Sequence, residues 1–349
     1  MSTQKRVMMV GSDEKSAGGV SSVIKTMKAM PFWQEYSCFW LGTQIQRNYL
    51  WKVIYILKAA IIALFIMWRY DIIHFHTTPD RSGLLIQMPE FLLAKLLGKK
   101  IIIEIHVGNQ LNDNTNNKLF KWVLRKAHLI ILLAEQWERL FKSKYADINV
   151  PTAVLHNACE VAAPITMAEK EKSIIMAAYF NANKAPDLLL KAWTKLKYKY
   201  PEWKITMMGN GEVKRFRQMS HDMGLDDCVS FPGYVTGAEK ENYWRKASIY
   251  CMCSYNEGFP MVVLEAWAHG IAVVTTPVGG LPDVIEEGKN CLTFSFGNAD
   301  ALAEKLELLI SNKQLRYDLA EYSQQFVKDK FSTEKINNDI SNLYEHSFA

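Results

Sequence analysis

The chain reads as an α/β protein made of two doubly wound parallel-sheet domains in tandem. Three observations lead there. Short, uninterrupted apolar runs such as Val7–Val10, Leu129–Leu132 and Ile271–Val274 recur between helical stretches, as expected of strands buried on both faces. The alternation pauses once, in a polar, small-residue stretch near 161–172 that contains Pro164 and a Glu/Lys cluster, and then resumes. A length of 349 residues is long for one core and comfortable for two. The expected domains are 1–160 and 161–330. A C-terminal helix over 331–349 remains; pattern alone leaves its place open, a return to the N-terminal domain being one course.

In order, Val7–Val10 is a buried strand followed by a glycine-bearing loop and a helix from about Val20. The most apolar stretch, Val53–Trp68, is sixteen residues long and interrupted by Lys58, short of the roughly 20 a membrane-spanning helix needs. A helix buried against the sheet is the favoured reading, with contact at a membrane interface second. Strands at Asp71–His76, Ile101–His106, Leu129–Leu132 and Ala153–Leu155 complete the first series. The second runs Ser173–Ala178, Lys204–Met208, Val229–Phe231, Ser248–Cys253 and Ile271–Thr275, with helices near 186–199, 212–223, 238–246, 260–269 and 299–311. Two such domains turn the carboxyl ends of both sheets toward a shared central cleft, the usual place for ligands in this architecture.

Composition narrows the class. Six cysteines without a C-x-x-C pair point to a reduced, cytoplasmic protein with no structural zinc. Gln4-Lys5-Arg6 precedes only four apolar residues before Gly11, too few for a signal peptide. Residues 1–160 hold 20 Lys and Arg against 12 Asp and Glu, whereas 161–349 hold 21 against 24. The basic first half suits an anionic partner such as a membrane surface or phosphate-bearing lipid, or else a scattered solvated surface; nucleic acid is not expected.

The most informative stretch is Tyr255-Asn256-Glu257-Gly258-Phe259-Pro260-Met261-Val262-Val263-Leu264-Glu265. It sets two carboxylates eight positions apart across an expected helix start, with Pro260 suited to the first helical position. A helix start presents unpaired N–H groups to an anion. A ligand with a central diphosphate could meet Glu257 at one end and Glu265 at the other. The same spacing also fits a buried helix with one capping and one surface carboxylate. Gly18-Gly19 sits at the first loop–helix junction, where backbone can approach an anion or sugar closely. His106 ends a strand beside Gly108 and Asn109, directed at the cleft. His74 and His76 share a strand face, but no third ligand is suggested nearby, so structural roles outweigh a metal site. Lys184, in a loop before the helix at Pro186, can place its ammonium on a phosphate. No D-x-D sequence occurs, so no carboxylate clamp for a divalent ion is evident.

Together these residues resemble the GT-B family of retaining glycosyltransferases usually called family 4. Glu257-Gly258-Phe259-Pro260 through Glu265-Ala266 is similar to its E-x7-E motif. Ala268-His269-Gly270, Val278-Gly279-Gly280-Leu281-Pro282-Asp283, Phe231-Pro232-Gly233-Tyr234-Val235 and Met208-Gly209-Asn210-Gly211-Glu212 extend the likeness. The resemblance implies the GT-B fold, with two Rossmann-like domains facing a central cleft. It places Glu257 by the donor sugar, Glu265 on the ribose hydroxyls, and Gly258, Phe259, Pro260 and Met261 along the donor. Lys184 would hold the diphosphate, Gly18 and Gly19 would form the opposing loop, and His106 would lie near the donor sugar. Asn210, Gly211 and Val235 would border base and ribose. One departure stands out: Tyr179 occupies the position where the family often has arginine, and Ala185 replaces the usual glycine.

The implied activity is retaining transfer of a sugar from a UDP- or GDP-linked donor, as substrate, to a saccharide or lipid-linked acceptor. No cofactor or metal is expected. Cell-surface polysaccharide synthesis at the inner face of the membrane fits the basic first half and the apolar helix. Alternatives are another nucleotide-sugar enzyme on the same fold, such as an epimerase or phosphorylase, or a silent binding subunit.

Overall fold

The computed structural model describes residues 5–16, 19–45, 49–108, 110–163 and 170–347. Part of the linker stretch, 164–169, thus lies outside the described residues. The chain divides into two compact units: Met1–Ala158 with Thr333–Ala349, and Cys159–Ser332.

The first unit is built on β1 (Val7–Ser12), β2 (Phe39–Gln44), β3 (Ile72–Thr77), β4 (Lys100–Ile105), β5 (Leu129–Leu132) and β6 (Thr152–Val154). They form one parallel sheet in the order β2-β1-β3-β4-β5-β6. Between them run α1 (Gly19–Lys28), α2 (Pro31–Glu35), α3 (Tyr49–Ile66), α4 (Arg81–Ile86), α5 (Met88–Leu96), α6 (Gln110–Asp113), α7 (Lys118–Leu124) and α8 (Glu135–Lys144).

The second unit holds β7 (Ser173–Ala177), β8 (Lys204–Met208), β9 (Val229–Gly233), β10 (Ile249–Met252), β11 (Ala272–Thr275) and β12 (Leu292–Thr293). Their order is β12-β11-β10-β7-β8-β9, again all parallel. Its helices are α9 (Pro186–Thr194), α10 (Val213–Asp222), α11 (Gly237–Lys246), α12 (Met261–Ala268), α13 (Ala299–Ser311) and α14 (Lys313–Phe331). The last helix, α15 (Thr333–His346), belongs to the first unit. There Tyr344 is buried, its ring 6.2 Å from Phe32 and 5.2 Å from Tyr36.

Central strands are buried on both faces: Val7–Val10 and Leu129–Leu132 are almost without exposed area, which is why they read as continuous apolar runs. β12, only two residues long, was not expected, and two further features differ from the sequence reading. β2 was not expected; as an edge strand it carries Gly42 and Gln44 and is only half buried, so it shows no apolar run. The stretch expected to be a buried helix is buried on one side only. Ala59, Ala63 and Met67 enter the core of the first unit, while Leu57, Ile61, Leu64, Phe65 and Trp68 are exposed. A helix apolar all round gives periodicity no means of choosing its inner face.

Candidate active site

In the second sheet, strand order reverses between β7 and β10, which are neighbours although two strands separate them in sequence. The chain leaves them in opposite directions, and the crevice beyond their carboxyl ends is where ligands bind in such sheets.

From β7 the chain enters the loop that ends at Ala185. The Lys184 N–H donates to Asn181 Oδ1 at 3.0 Å. Ala185 adopts a left-handed φ of 42° before Pro186 opens α9. That conformation costs a non-glycine residue about 1–2 kcal/mol, so this position favours the glycine that the resemblance leads one to expect. From β10 the chain enters a second loop, and Asn183 ties the two together. Its carbonyl accepts the Tyr255 N–H at 2.7 Å, and its side-chain amide donates to the Asn256 carbonyl at 2.9 Å. This seam brings the Lys184 ammonium onto the Glu257 carboxylate as an ion pair, with side chains 23% and 12% exposed.

A third loop, after β11, supports the second. Gly279 has φ 67°, and a Cβ there would stand 2.7 Å from the Gly258 carbonyl oxygen and 2.9 Å from the Glu257 Cβ. The Gly280 N–H donates to the Gly258 carbonyl at 2.7 Å. In the sequence Gly279 and Gly280 counted only as part of a family pattern; here they fix where Glu257 stands.

Pro260 is the residue that caps α12, not its first helical residue: its φ of −76° and ψ of 103° are extended, and the helix begins at Met261. Glu265 therefore lies ~6 Å along the axis from Met261. Val263, Leu264, Ala266, Trp267 and Ala268 are buried around it. Glu265 Oε2 accepts from Lys240 Nζ, on α11, at 2.8 Å. Sequence reasoning missed Lys240, since twenty-five residues separate it from its partner. Phe259 is buried, its ring 5.7 Å from that of Phe331.

Asn210 and Gly211 lie against the loop that follows β7. The Phe180 N–H donates to the Asn210 carbonyl at 2.7 Å, and a Cβ on Gly211, at φ 94°, would stand 2.4 Å from the Phe180 oxygen. Val235 is buried in the turn between β9 and α11. Tyr179 is exposed, so a phenol ring faces solvent where the resemblance leads one to expect a guanidinium.

In the first unit, Gly18 and Asn109 lie outside the described residues. Gly19 begins α1, and a Cβ there would meet nothing within 4 Å. His106 follows β4 and joins a buried cluster. His76 pairs in register with Glu104 across β3 and β4. Glu104 Oε1 lies 3.0 Å from His106 Nε2 and 3.4 Å from His76 Nδ1, and its Oε2 lies 3.2 Å from His74 Nε2. His76 Nδ1 is 2.9 Å from His106 Nε2, and His74 Nδ1 is 2.8 Å from the Tyr344 hydroxyl. Burial alone would raise the Glu104 carboxyl, but His76 and His106, with hydrogen bonds from His106 and His74, hold it well below the usual carboxylate range. Burial pushes His76 down to about 4 against the pull of Glu104. The third ligand-type group that the sequence did not suggest is thus Glu104: with His74 and His76 it offers ligand atoms all within 4.8 Å of one another. One carboxylate thus faces three imidazole rings.

Comparison with known proteins bears on this geometry. Residues 160–326 match the family model of glycosyl transferases group 1. An uncharacterized glycosyltransferase of Haemophilus influenzae is 26% identical over 265 residues, covering 73% of this chain and 72% of the relative. A D-inositol 3-phosphate glycosyltransferase of Corynebacterium jeikeium is 31% identical over 170 residues, but the match spans only 40% of that relative. Sucrose-phosphate synthase of Thermosynechococcus elongatus superposes with a TM-score of 0.79 over 99% of both chains at 16% identity. Anabaena HepE in complex with UDP-glucose superposes with a TM-score of 0.75 over 97% of this chain and 99% of that one, at 15% identity. The two doubly wound sheets thus form a GT-B fold, and the segment that holds Lys184, Glu257 and Glu265 is the part of the chain that matches the glycosyl transferases group 1 family.

Proposed function

We propose that the chain is a retaining glycosyltransferase that moves a sugar from a nucleotide-sugar donor to a saccharide or lipid-linked acceptor. The observation that carries this reading is the Lys184–Glu257 pair at the β7/β10 reversal, with Glu265 farther along α12. The donor diphosphate takes the Lys184 ammonium and the amides at the start of α12, an anion site made of fixed dipoles and one cation. Glu265 receives the ribose hydroxyls, and Glu257 stands by the sugar as a positioning and electrostatic group. In the transfer step the bond from the anomeric carbon to the phosphate oxygen breaks. The acceptor oxygen bonds to the same face, and its proton leaves with the diphosphate. No metal is needed in this scheme, because Lys184 and the helix start meet the leaving charge. A uridine donor is supported by the UDP-glucose held by HepE, and a cyclitol acceptor by the name of the Corynebacterium jeikeium relative.

Melting curves of the protein with UDP, GDP and ADP test the donor half of the reading. Binding at a hundred times the dissociation constant adds ~2.7 kcal/mol of stability. If no nucleoside diphosphate shifts the melting temperature, the donor site is wrongly assigned. Product analysis with an acceptor then reads the anomeric outcome; an inverted product would exclude retention.

A further inference from the structure

Helix α3 is apolar on the side where a water-facing helix carries charge. Leu50, Ile54, Leu57, Ile61, Leu64 and Trp68 follow one another at steps of four and three and are 42–66% exposed. The opposite side, Ala59, Ala63 and Met67, is buried. Neighbouring α5 packs on α3 and adds exposed Leu92 and Leu96. A contiguous apolar surface of this kind marks a site of association.

Charge selects the occupant. No Asp or Glu occurs between Glu35 and Asp71, whereas Lys52, Lys58 and Arg69 lie on or just beyond α3. Lys95 is in the last turn of α5, followed by Lys99 and Lys100, and Lys99 Nζ donates to the Trp68 carbonyl at 2.9 Å. A second copy docked about a two-fold axis would set these cations against one another. Anionic headgroups pair with them. Trp51 and Trp68 mark the two ends of the helix, and tryptophan is the residue type enriched where hydrocarbon meets headgroups. Lysine stems can lie along the apolar face with their ammonium groups among the phosphates.

The helix Leu50–Arg69, 20 residues long, could cross a bilayer by length, at ~30 Å. Its place in the fold prevents that. It joins β2 to β3, strands of one parallel sheet, and its inner face is part of the core. We propose that the outer face of α3 lies in the interface of a bilayer containing anionic lipid and anchors the first unit there. This inference is independent of the donor-site reading.

Flotation of the full chain with vesicles tests it. Vesicles of phosphatidylethanolamine and phosphatidylglycerol should carry the protein, and pure phosphatidylcholine vesicles should bind it about tenfold less. The double variant Leu57→Glu/Ile61→Glu, at exposed positions, should lower partitioning about a hundredfold without changing the melting temperature. Lys52→Gln/Lys58→Gln, which leaves the apolar face intact, should lower binding to the anionic vesicles about tenfold. Equal partitioning of either variant and the wild type overturns the proposal, as does a wild-type protein that stays with the aqueous phase. A concentration-dependent dimer in sedimentation that Leu57→Glu/Ile61→Glu abolishes overturns it as well, because the face is then covered by a second copy.

Discussion

Exchanging Lys184 for alanine and Glu257 for glutamine should move nucleoside-diphosphate affinity in opposite directions. In the free protein the Glu257 carboxylate holds the Lys184 ammonium, so a diphosphate takes that cation only by displacing the carboxylate. Lys184→Ala removes the cation and with it a charge-assisted hydrogen bond of about 1.5–3 kcal/mol. The dissociation constant should rise about ten- to a hundredfold. Glu257→Gln removes the competitor. Because the two side chains are 23% and 12% exposed, the pair is better shielded than a surface ion pair, whose worth is about 1 kcal/mol or less. Releasing it should tighten binding by about 1 kcal/mol, or about fivefold. Calorimetric titration of UDP and GDP into the wild type and both variants reads the two effects, while sugar transfer by Glu257→Gln should fall regardless. Weaker diphosphate binding by Glu257→Gln, or unchanged binding by Lys184→Ala, would refute the reasoning that this pair occupies the diphosphate position.

Glu265→Ala should weaken nucleoside-diphosphate binding about tenfold while leaving the melting temperature in place; an unchanged dissociation constant would remove Glu265 from the ribose. Glu90 offers a pH-dependent test of the first unit. Burial pushes its carboxyl from 4.5 up to about 7, against the opposing pull of its own backbone N–H. Since the folded value lies above the unfolded one, ionisation opposes folding. The penalty is absent below pH 4.5, grows up to about 7 and levels off near 3 kcal/mol beyond. Urea titrations should therefore show Glu90→Gln gaining on the wild type as pH rises, and a gain that is flat with pH would contradict the linkage. Glu104→Gln removes the carboxylate that three histidine rings face and, as a lost charge-assisted hydrogen bond, should cost about 1.5–3 kcal/mol. A variant as stable as the wild type would show that the rings are held without it.

Much of the fold was legible in the sequence because parallel strands buried on both faces leave uninterrupted apolar runs, as Val7–Val10 and Leu129–Leu132 do. β2 escaped because an edge strand has no need of such a run. The outward face of α3 escaped for the opposite reason: its composition is the same on both sides, and only packing distinguishes Ala59 from Ile61. At the candidate site the residue types were readable and their partners were not. Lys184 and Glu257 are 73 positions apart, joined through the Asn183 seam. The unusual residue at 185 was visible, but its left-handed backbone was not. Glu104 went unremarked in the strand Ile101–His106, because only the register of β3 and β4 sets it beside His76.

The division of the chain at 158/159 and again at 332/333 makes the second unit an insertion in the first. Its two ends lie side by side: Cys159 pairs with Ser332, and the Cys159 N–H donates to the Phe331 carbonyl at 2.8 Å. On the ribosome, β1 to β6 emerge first, but α15 emerges only after the whole inserted unit. At about 5–20 residues per second, that interval lasts roughly ten to thirty-five seconds. Throughout it His74 lacks the Tyr344 hydroxyl, and Phe32 and Tyr36 lack the ring that packs on them. The nascent first unit must therefore wait, incomplete and with its apolar α3 already made, while a second sheet folds between its two halves.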